Sequence, residues 1–348
     1  MLETEIINNL EDWFLNSKIY GFNGQYRTYY TKDKIGSVYP EITAYAIQIA
    51  LYIYKKNDDE KFLERAKDCA DYLIKISEGK GLYSNSGSER YVFDTGIYIS
   101  SLLDLYKLTN VEKYYEESEK SLNWMLTLWD GNTFKPTDIK INNKIWASKS
   151  SIHLIKMAIP LLKAYQIDKN IEYKILCEKL LNWGKELQYP EGNFRINFDN
   201  KITRTHPHCY ATEGYLYAYW YTKNDMYNNI VKKSANWLMN IQNNDGSFYS
   251  IYYPNQYFSI NFPLIHLKVT DATTQAVRIW KLLGVNKKGI EKGLNYLLNQ
   301  IEDNGLLLTR MPFVNKFTSR KIFSWPTFFY LQTLLINFVD NSAIEDII

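Results

Sequence analysis

Only three cysteines occur in 348 residues, Cys69, Cys177 and Cys209, and none forms a CxxC pair. An odd, scattered set excludes a disulfide framework and fits a reducing compartment. No run of five or more basic residues is present and the net charge is only +3, so a nucleic-acid partner or polybasic membrane patch is not expected. Long apolar runs are missing too. The longest weakly polar stretch, about 42–54, contains Gln48 and is too short to span a bilayer. The beginning, MLETEIINNLEDWF, is acidic and amphipathic, not basic and then apolar. No secretory signal is read there, and a cytoplasmic location is the expectation.

What is present is a core-forming composition, 46% hydrophobic with 23% charged residues. It carries a hidden repeat. Six short signatures recur, EDWFL, ADYLI, LNWML, LNWGK, ANWLM and LNYLL, with aromatics Trp13, Tyr72, Trp124, Trp183, Trp237 and Tyr296. Their separations are 59, 52, 59, 54 and 59 residues. Each signature closes an amphipathic helical pattern, and most are followed by a glycine turn such as YPEGNFR or NNDGSFY. A second, more apolar helix follows each loop, at 41–54, 92–107, 150–165, 208–222, 270–283 and 325–338.

These patterns predict an all-α (α/α)6 toroid spanning 1–348 as one domain. Six amphipathic outer helices alternate with six buried inner ones. An open solenoid of helix pairs is the alternative, and six repeats without a polar cap favour closure. Inner-to-outer connectors are short, about three to six residues, whereas outer-to-inner connectors mostly run about twelve to twenty-five. One rim is therefore tight and the other built of long loops, where function concentrates. The inner helices start at the long-loop rim, so their N-terminal N–H groups face its mouth and favour an anionic ligand.

The candidate chemistry lies in the first turns of those helices. Glu41, Asp94 and Asp271 are each first-turn acids, whose ordinary role is capping; together they ring one mouth. The stretch RTHPHCYATEGYLYAYW (204–220) contributes Arg204, His206, His208, Tyr210 and Glu213. At helical spacing His206, Tyr210, Glu213 and Tyr217 share a face, with Gly214 alongside for close packing and Pro207 in the first turn. A His–Tyr–Glu line can bind a sugar or move protons near neutral pH. The loops add Arg90, Tyr39, Trp146 and Trp325 as groups to pair with carboxylates or cover sugar faces. His206, His208 and Cys209 do not match strong zinc spacings, and nothing singles out Cys209 as a nucleophile. Neither metal nor cofactor is expected.

Four stretches, SVYPEITAY (37–45), VFDTGIYISSLLDLYKLTN (92–110), THPHCYATEGYL (205–216) and TDATTQAVRIW (270–280), carry a family likeness. With them the chain resembles the six-hairpin glycosidase superfamily, most closely toroid proteins encoded among surface-polysaccharide genes. VFDTG followed by YKLTN also resembles the inner-helix motif of unsaturated glucuronyl hydrolases, a resemblance that places Asp94 in an active site. Their second aspartate, on the following inner helix, has no counterpart in ASKSSIHLIKMA (147–158). The DGSF turn (245–248) after Gln242 resembles the QW-type repeat of terpene cyclases, but the DxDD motif is absent.

Three functions follow from residues and resemblance. The first is a glycoside hydrolase acting on an acidic or amino-sugar glycan. Asp94 and Glu213 would be its acid/base pair, with Glu41 or Asp271 as substitutes, about 5–5.5 Å apart for retention or about 6.5–9.5 Å for inversion. The second is a uronate lyase or C5-epimerase using Tyr210, His206 or His208, with Arg204 or Arg90 on the carboxylate. The third is a non-catalytic glycan-binding or assembly subunit.

Overall fold

The computed structural model describes residues 3–83, 89–138, 149–253, 267–307, 309–310 and 320–347. Trp146 lies outside the described residues. Among them are twelve α-helices: α1 (Glu3–Asn16), α2 (Pro40–Asn57), α3 (Glu60–Ser77), α4 (Val92–Thr109), α5 (Glu112–Leu126), α6 (Ala158–Asp168), α7 (Ile171–Lys185), α8 (Thr205–Thr222), α9 (Asp225–Ile241), α10 (Thr270–Leu283), α11 (Lys287–Leu298) and α12 (Ser324–Leu335). None is long and apolar enough to cross a membrane.

Even-numbered helices form the inner ring. Each packs on the next from α2 through α12, and α12 packs back on α2, so the toroid is closed. The open-solenoid alternative is excluded. Outer helices pair with the inner helix just before them, and α1 takes the vacant place beside α12. Burial separates the two sets. In α2 every residue from Pro40 to Ile53 is buried, whereas α3 buries the stripe Phe62, Leu63, Ala66, Cys69, Ala70 and Leu73.

The tight rim has a local cause. Inner helices α2, α4, α6, α8 and α10 each end on a left-handed residue, Asp58, Asn110, Lys169, Lys223 and Gly284. At three of these turns the next residue already caps the outer helix: Asp59, Asn170 and Asn224 accept the backbone N–H of Lys61, Glu172 and Met226. The chain reverses without a loop.

At the other rim, short antiparallel pairs deliver the inner helices. Thr203–Arg204 pairs with Ile251–Tyr252 and leads into α8. Lys268–Val269 pairs with Phe248–Tyr249 and leads into α10. Ile322–Phe323 pairs with Tyr29–Tyr30, joining the first and last hairpins, and leads into α12. The Gln242 side chain clasps the carbonyls of Gly246 and of Gly289 on α11. The QW-like turn is thus a device for locking neighbouring outer helices.

The third inner helix departs from the expected 150–165. A 3₁₀ turn at Ile152–Met157 precedes α6. Pro160 is the reason: here it sits in the first α-turn, where its missing N–H costs no helical bond, whereas in a helix begun at 150 it would be interior. The 3₁₀ turn presses on α8 at Gly214, where an added Cβ would stand 2.4 Å from the Ile155 carbonyl oxygen.

Candidate active site

Where four inner helices begin at the long-loop rim, a cavity of about 300 Å³ opens, lined by Tyr39, Glu41, Ile42, His206, Tyr210, Asp271 and Trp325. Its residues come from the first turns of α2, α8, α10 and α12, from Tyr39 just before α2, and, for Tyr210, from the second turn of α8. The strands at the rim set the angle of α8, α10 and α12 and so aim these turns at one point.

Glu41 is 5% exposed. Burial pushes its carboxyl up to about 7, and hydrogen bonding from Tyr39 and Tyr45 and the charge of Lys156 only partly oppose this. Asp94, fully buried behind Tyr39, accepts a hydrogen bond from the Tyr39 hydroxyl at 3.0 Å. Burial, then the negative charge of Glu41, raises its carboxyl well above the usual range. Asp94 Oδ1 has no partner among the described residues. Asp271 accepts the Ala272 backbone N–H at 2.6 Å through Oδ1, a first-turn bond, and the Trp325 indole N–H at 3.4 Å through Oδ2. His206 Nδ1 stands 2.6 Å from Gln275 Oε1 and 3.8 Å from Asp271 Oδ2. The His206 and Tyr210 rings are 4.3 Å apart.

Below this layer lies a buried charged cluster. Glu213 is held by Lys156 Nζ at 2.9 Å and Arg278 Nη2 at 2.5 Å. Burial alone would raise its carboxyl, but Arg278 and Lys156 outweigh that and hold it below the usual range. Burial brings Lys156 down to about 8, against the pull of Glu213. Its ammonium sits 4.6 Å from the Tyr210 ring, whose hydroxyl meets that of Tyr45 at 2.9 Å.

The candidates therefore separate. Tyr39, Glu41, His206, Tyr210, Asp271 and Trp325 converge on the cavity, and Asp94 stands one hydrogen bond behind it. Glu213 lies a turn beneath Tyr210 inside the ion cluster. His208 faces away from the cavity, accepting the Phe194 N–H at 3.3 Å beside Trp237, and burial brings it down to about 3. Arg90 donates to the Ser77 and Gly81 carbonyls and stacks on Tyr83. Arg204 is exposed, on the strand before α8. Cys209 is buried, and its thiol is pushed well above the usual value, first by burial. Among the described residues no three His, Cys, Asp or Glu side chains form a group able to hold a metal ion.

Sequence reasoning missed Tyr45, Lys156, Gln275 and Arg278. A signal existed for two of them. Lys156 and Arg278 are charges inside otherwise apolar inner helices, a pattern that is costly unless a partner waits nearby.

No known family model matches the sequence, and no curated protein matches it. Solved structures do. An unsaturated glucuronyl hydrolase from Bacillus sp. GL1 superposes with a TM-score of 0.74 at 14% identity, over 96% of each chain. A cellobiose 2-epimerase from Bacillus thermoamylovorans B4167 gives 0.77 at 13% identity, over 96% of this chain and 98% of that one. The α-1,6-mannanase GH76A of Salegentibacter sp. HEL1_6 gives 0.67 at 16%, again over 96% and 98%. All three are six-hairpin glycosidase superfamily enzymes. The chain has their fold. Identities this low speak for the toroid alone.

Proposed function

We propose that the toroid is a carbohydrate-active enzyme, a glycoside hydrolase in which Glu41 protonates the leaving oxygen and Asp271 activates water. One observation carries this reading. Glu41 lines the cavity with its carboxyl raised to about 7, so it keeps a proton to give near neutral pH. Asp271, two inner helices away round the ring, lines the same cavity as an acceptor oriented by Ala272 and Trp325. Such a pair of carboxyls is what glycoside hydrolysis requires. Asp94 keeps the Tyr39 hydroxyl in place and adds a second carboxyl that competes for ionisation with Glu41. Trp325, Tyr39 and Tyr210 supply faces for the C–H side of a sugar ring, and His206 supplies a polar contact.

The lining also bears on the substrate. It contains two carboxylic acids and, among the described residues, no lysine or arginine. A neutral or amino sugar fits this charge better than a uronate. Lyase or C5-epimerase chemistry needs a cation on the sugar carboxylate, and Arg90 spends its guanidinium on backbone carbonyls. A volume near 300 Å³ is at the small end of ligand sites and suits a chain terminus.

The test is hydrolysis of a panel of aryl glycosides and oligosaccharides. Glu41→Gln should lower kcat by about 10²–10⁴ on substrates with poor leaving groups, and far less on dinitrophenyl glycosides, whose leaving group needs no proton. Undiminished turnover in both Glu41→Gln and Asp271→Asn overturns the assignment. A second reading, epimerisation of a free sugar, draws on His206 in the cavity and on the epimerases among the similar structures. Solvent deuterium entering a sugar C–H position without cleavage would decide for it. Glycan binding that survives in Asp94→Asn and Glu213→Gln, with no turnover of any substrate by the wild type, would decide for a binding subunit.

A further inference from the structure

The Gln275 side chain joins the buried ion cluster to the cavity, and the order of its two contacts is chemically forced. Gln275 Nε2 lies 3.3 Å from both carboxylate oxygens of Glu213. Glu213 is an ion pinned by Lys156 at 2.9 Å and Arg278 at 2.5 Å, and an ionised carboxylate only accepts hydrogen bonds. The NH₂ group of Gln275 must therefore face Glu213. Its carbonyl oxygen is then the atom left facing His206, 2.6 Å from Nδ1. A carbonyl only accepts, so Nδ1 must carry the hydrogen.

We infer that Gln275 is a positioning residue that fixes the tautomer of His206: Nδ1 holds the proton, and Nε2 is the nitrogen left to meet a ligand. The ring lines the cavity, so the consequence falls on whatever binds there. In its neutral form His206 offers a sugar hydroxyl an acceptor at Nε2, not a donor. Asp271 Oδ2, at 3.8 Å from Nδ1, adds a second acceptor oxygen on the same side and favours the same proton position. The buried cluster, which touches no ligand itself, thereby sets the hydrogen-bond polarity of the cavity wall. Lys156 and Arg278 hold Glu213 ionised, Glu213 orients the Gln275 amide, and Gln275 orients the imidazole.

The functional meaning rests on the proposed sugar site, but the tautomer does not, so the experiment is done without substrate. The whole chain is labelled with ¹⁵N-histidine, and long-range ¹H–¹⁵N correlation spectra are recorded above neutral pH. His206 is assigned by its loss in His206→Gln. The expected pattern is Nδ1–H with an unprotonated Nε2 in the wild type, shifting towards Nε2–H in Gln275→Leu, which removes the acceptor. A wild-type His206 protonated at Nε2 overturns the inference, and so does a pattern unchanged in Gln275→Leu. The wild-type spectrum alone keeps the test decisive if the leucine variant does not fold. Absence of glycosidase activity with the expected tautomer would count against the sugar chemistry only.

Discussion

The Tyr39 hydroxyl donates to Asp94 Oδ2 at 3.0 Å, tying the residue before α2 to the first turn of the neighbouring inner helix α4. The bond serves a carboxyl that is fully buried with Glu41 as its neighbour in charge. Burial and the Glu41 charge together keep Asp94 protonated well above the ordinary aspartate range. An unfolded Asp94 releases its proton near pH 4, whereas the folded one retains it. Above pH 4 the unfolded state thus binds fewer protons, and this group's contribution to stability is lost as pH rises towards the folded value. Asp94→Asn removes the titration and should raise Tm relative to wild type at pH 8, while changing it little at pH 4. Calorimetry across that range checks the sign.

Glu41 gives the kinetic counterpart. As a general acid it works only when protonated, and its carboxyl is raised to about 7 by burial. The expected kcat falls about tenfold per pH unit above pH 7 as Glu41 loses its proton. In Glu41→Gln the limb should vanish from whatever activity remains. A rate that rises through pH 7 would assign the essential form of this group to the carboxylate.

The toroid was legible because its signals are spread along the whole chain. Six spaced aromatics, a two-class alternation of helices and unequal connectors all reflect one repeated packing problem. The start of α10 was legible to the residue, the helical pattern read from 270 beginning the helix at Thr270. The third inner helix was not, because the local preference of Pro160 divides it into a 3₁₀ turn and a shorter helix. In the site, first-turn position pointed to Glu41, His206 and Asp271, which line one cavity, and to Asp94, which stands behind it. The same rule could not give depth. Glu213 shares the helix face of His206 and Tyr210, yet one further turn beyond Tyr210 carries it from the cavity into a buried cluster. Its partners come from residues 57 and 65 positions away, a relationship that no local pattern encodes.

That cluster yields a prediction separating stability from catalysis. Removing the charge of Glu213 strands Lys156 and Arg278, 2% and 0% exposed, without their counter-ion. Breaking a buried pair in this way costs about 3–5 kcal/mol. Glu213→Gln should therefore show a large fall in Tm, with kcat per folded molecule reduced only to the extent that Gln275 loses its orientation. Because Arg278 and Lys156 hold the folded carboxyl below its ordinary value despite burial, its stabilisation is present above the unfolded value and disappears as pH falls through the folded one. The gap between wild type and Glu213→Gln should accordingly narrow in acid. An unchanged Tm with abolished turnover would return Glu213 to the role of catalytic acid.

Two glycines in the inner helices should respond unequally to the same added methyl group. In Gly214→Ala the new Cβ would stand 2.4 Å from the Ile155 carbonyl oxygen and 2.8 Å from its carbon, both backbone atoms of the 3₁₀ turn. Neither can yield unless α8 separates from that turn, which carries Lys156 and hence one arm of the ion cluster. In Gly96→Ala the obstruction is the thioether of Met157, 2.1 Å from the Cβ position at the sulfur. An unbranched, flexible side chain can rotate aside. The overpacking cost should reach about 2–3 kcal/mol for Gly214→Ala and be clearly smaller for Gly96→Ala. Urea unfolding of the two variants measures this. Equal losses would mean that the 3₁₀ turn moves as freely as a methionine side chain, and that Gly214 does not set the distance between the third and fourth inner segments.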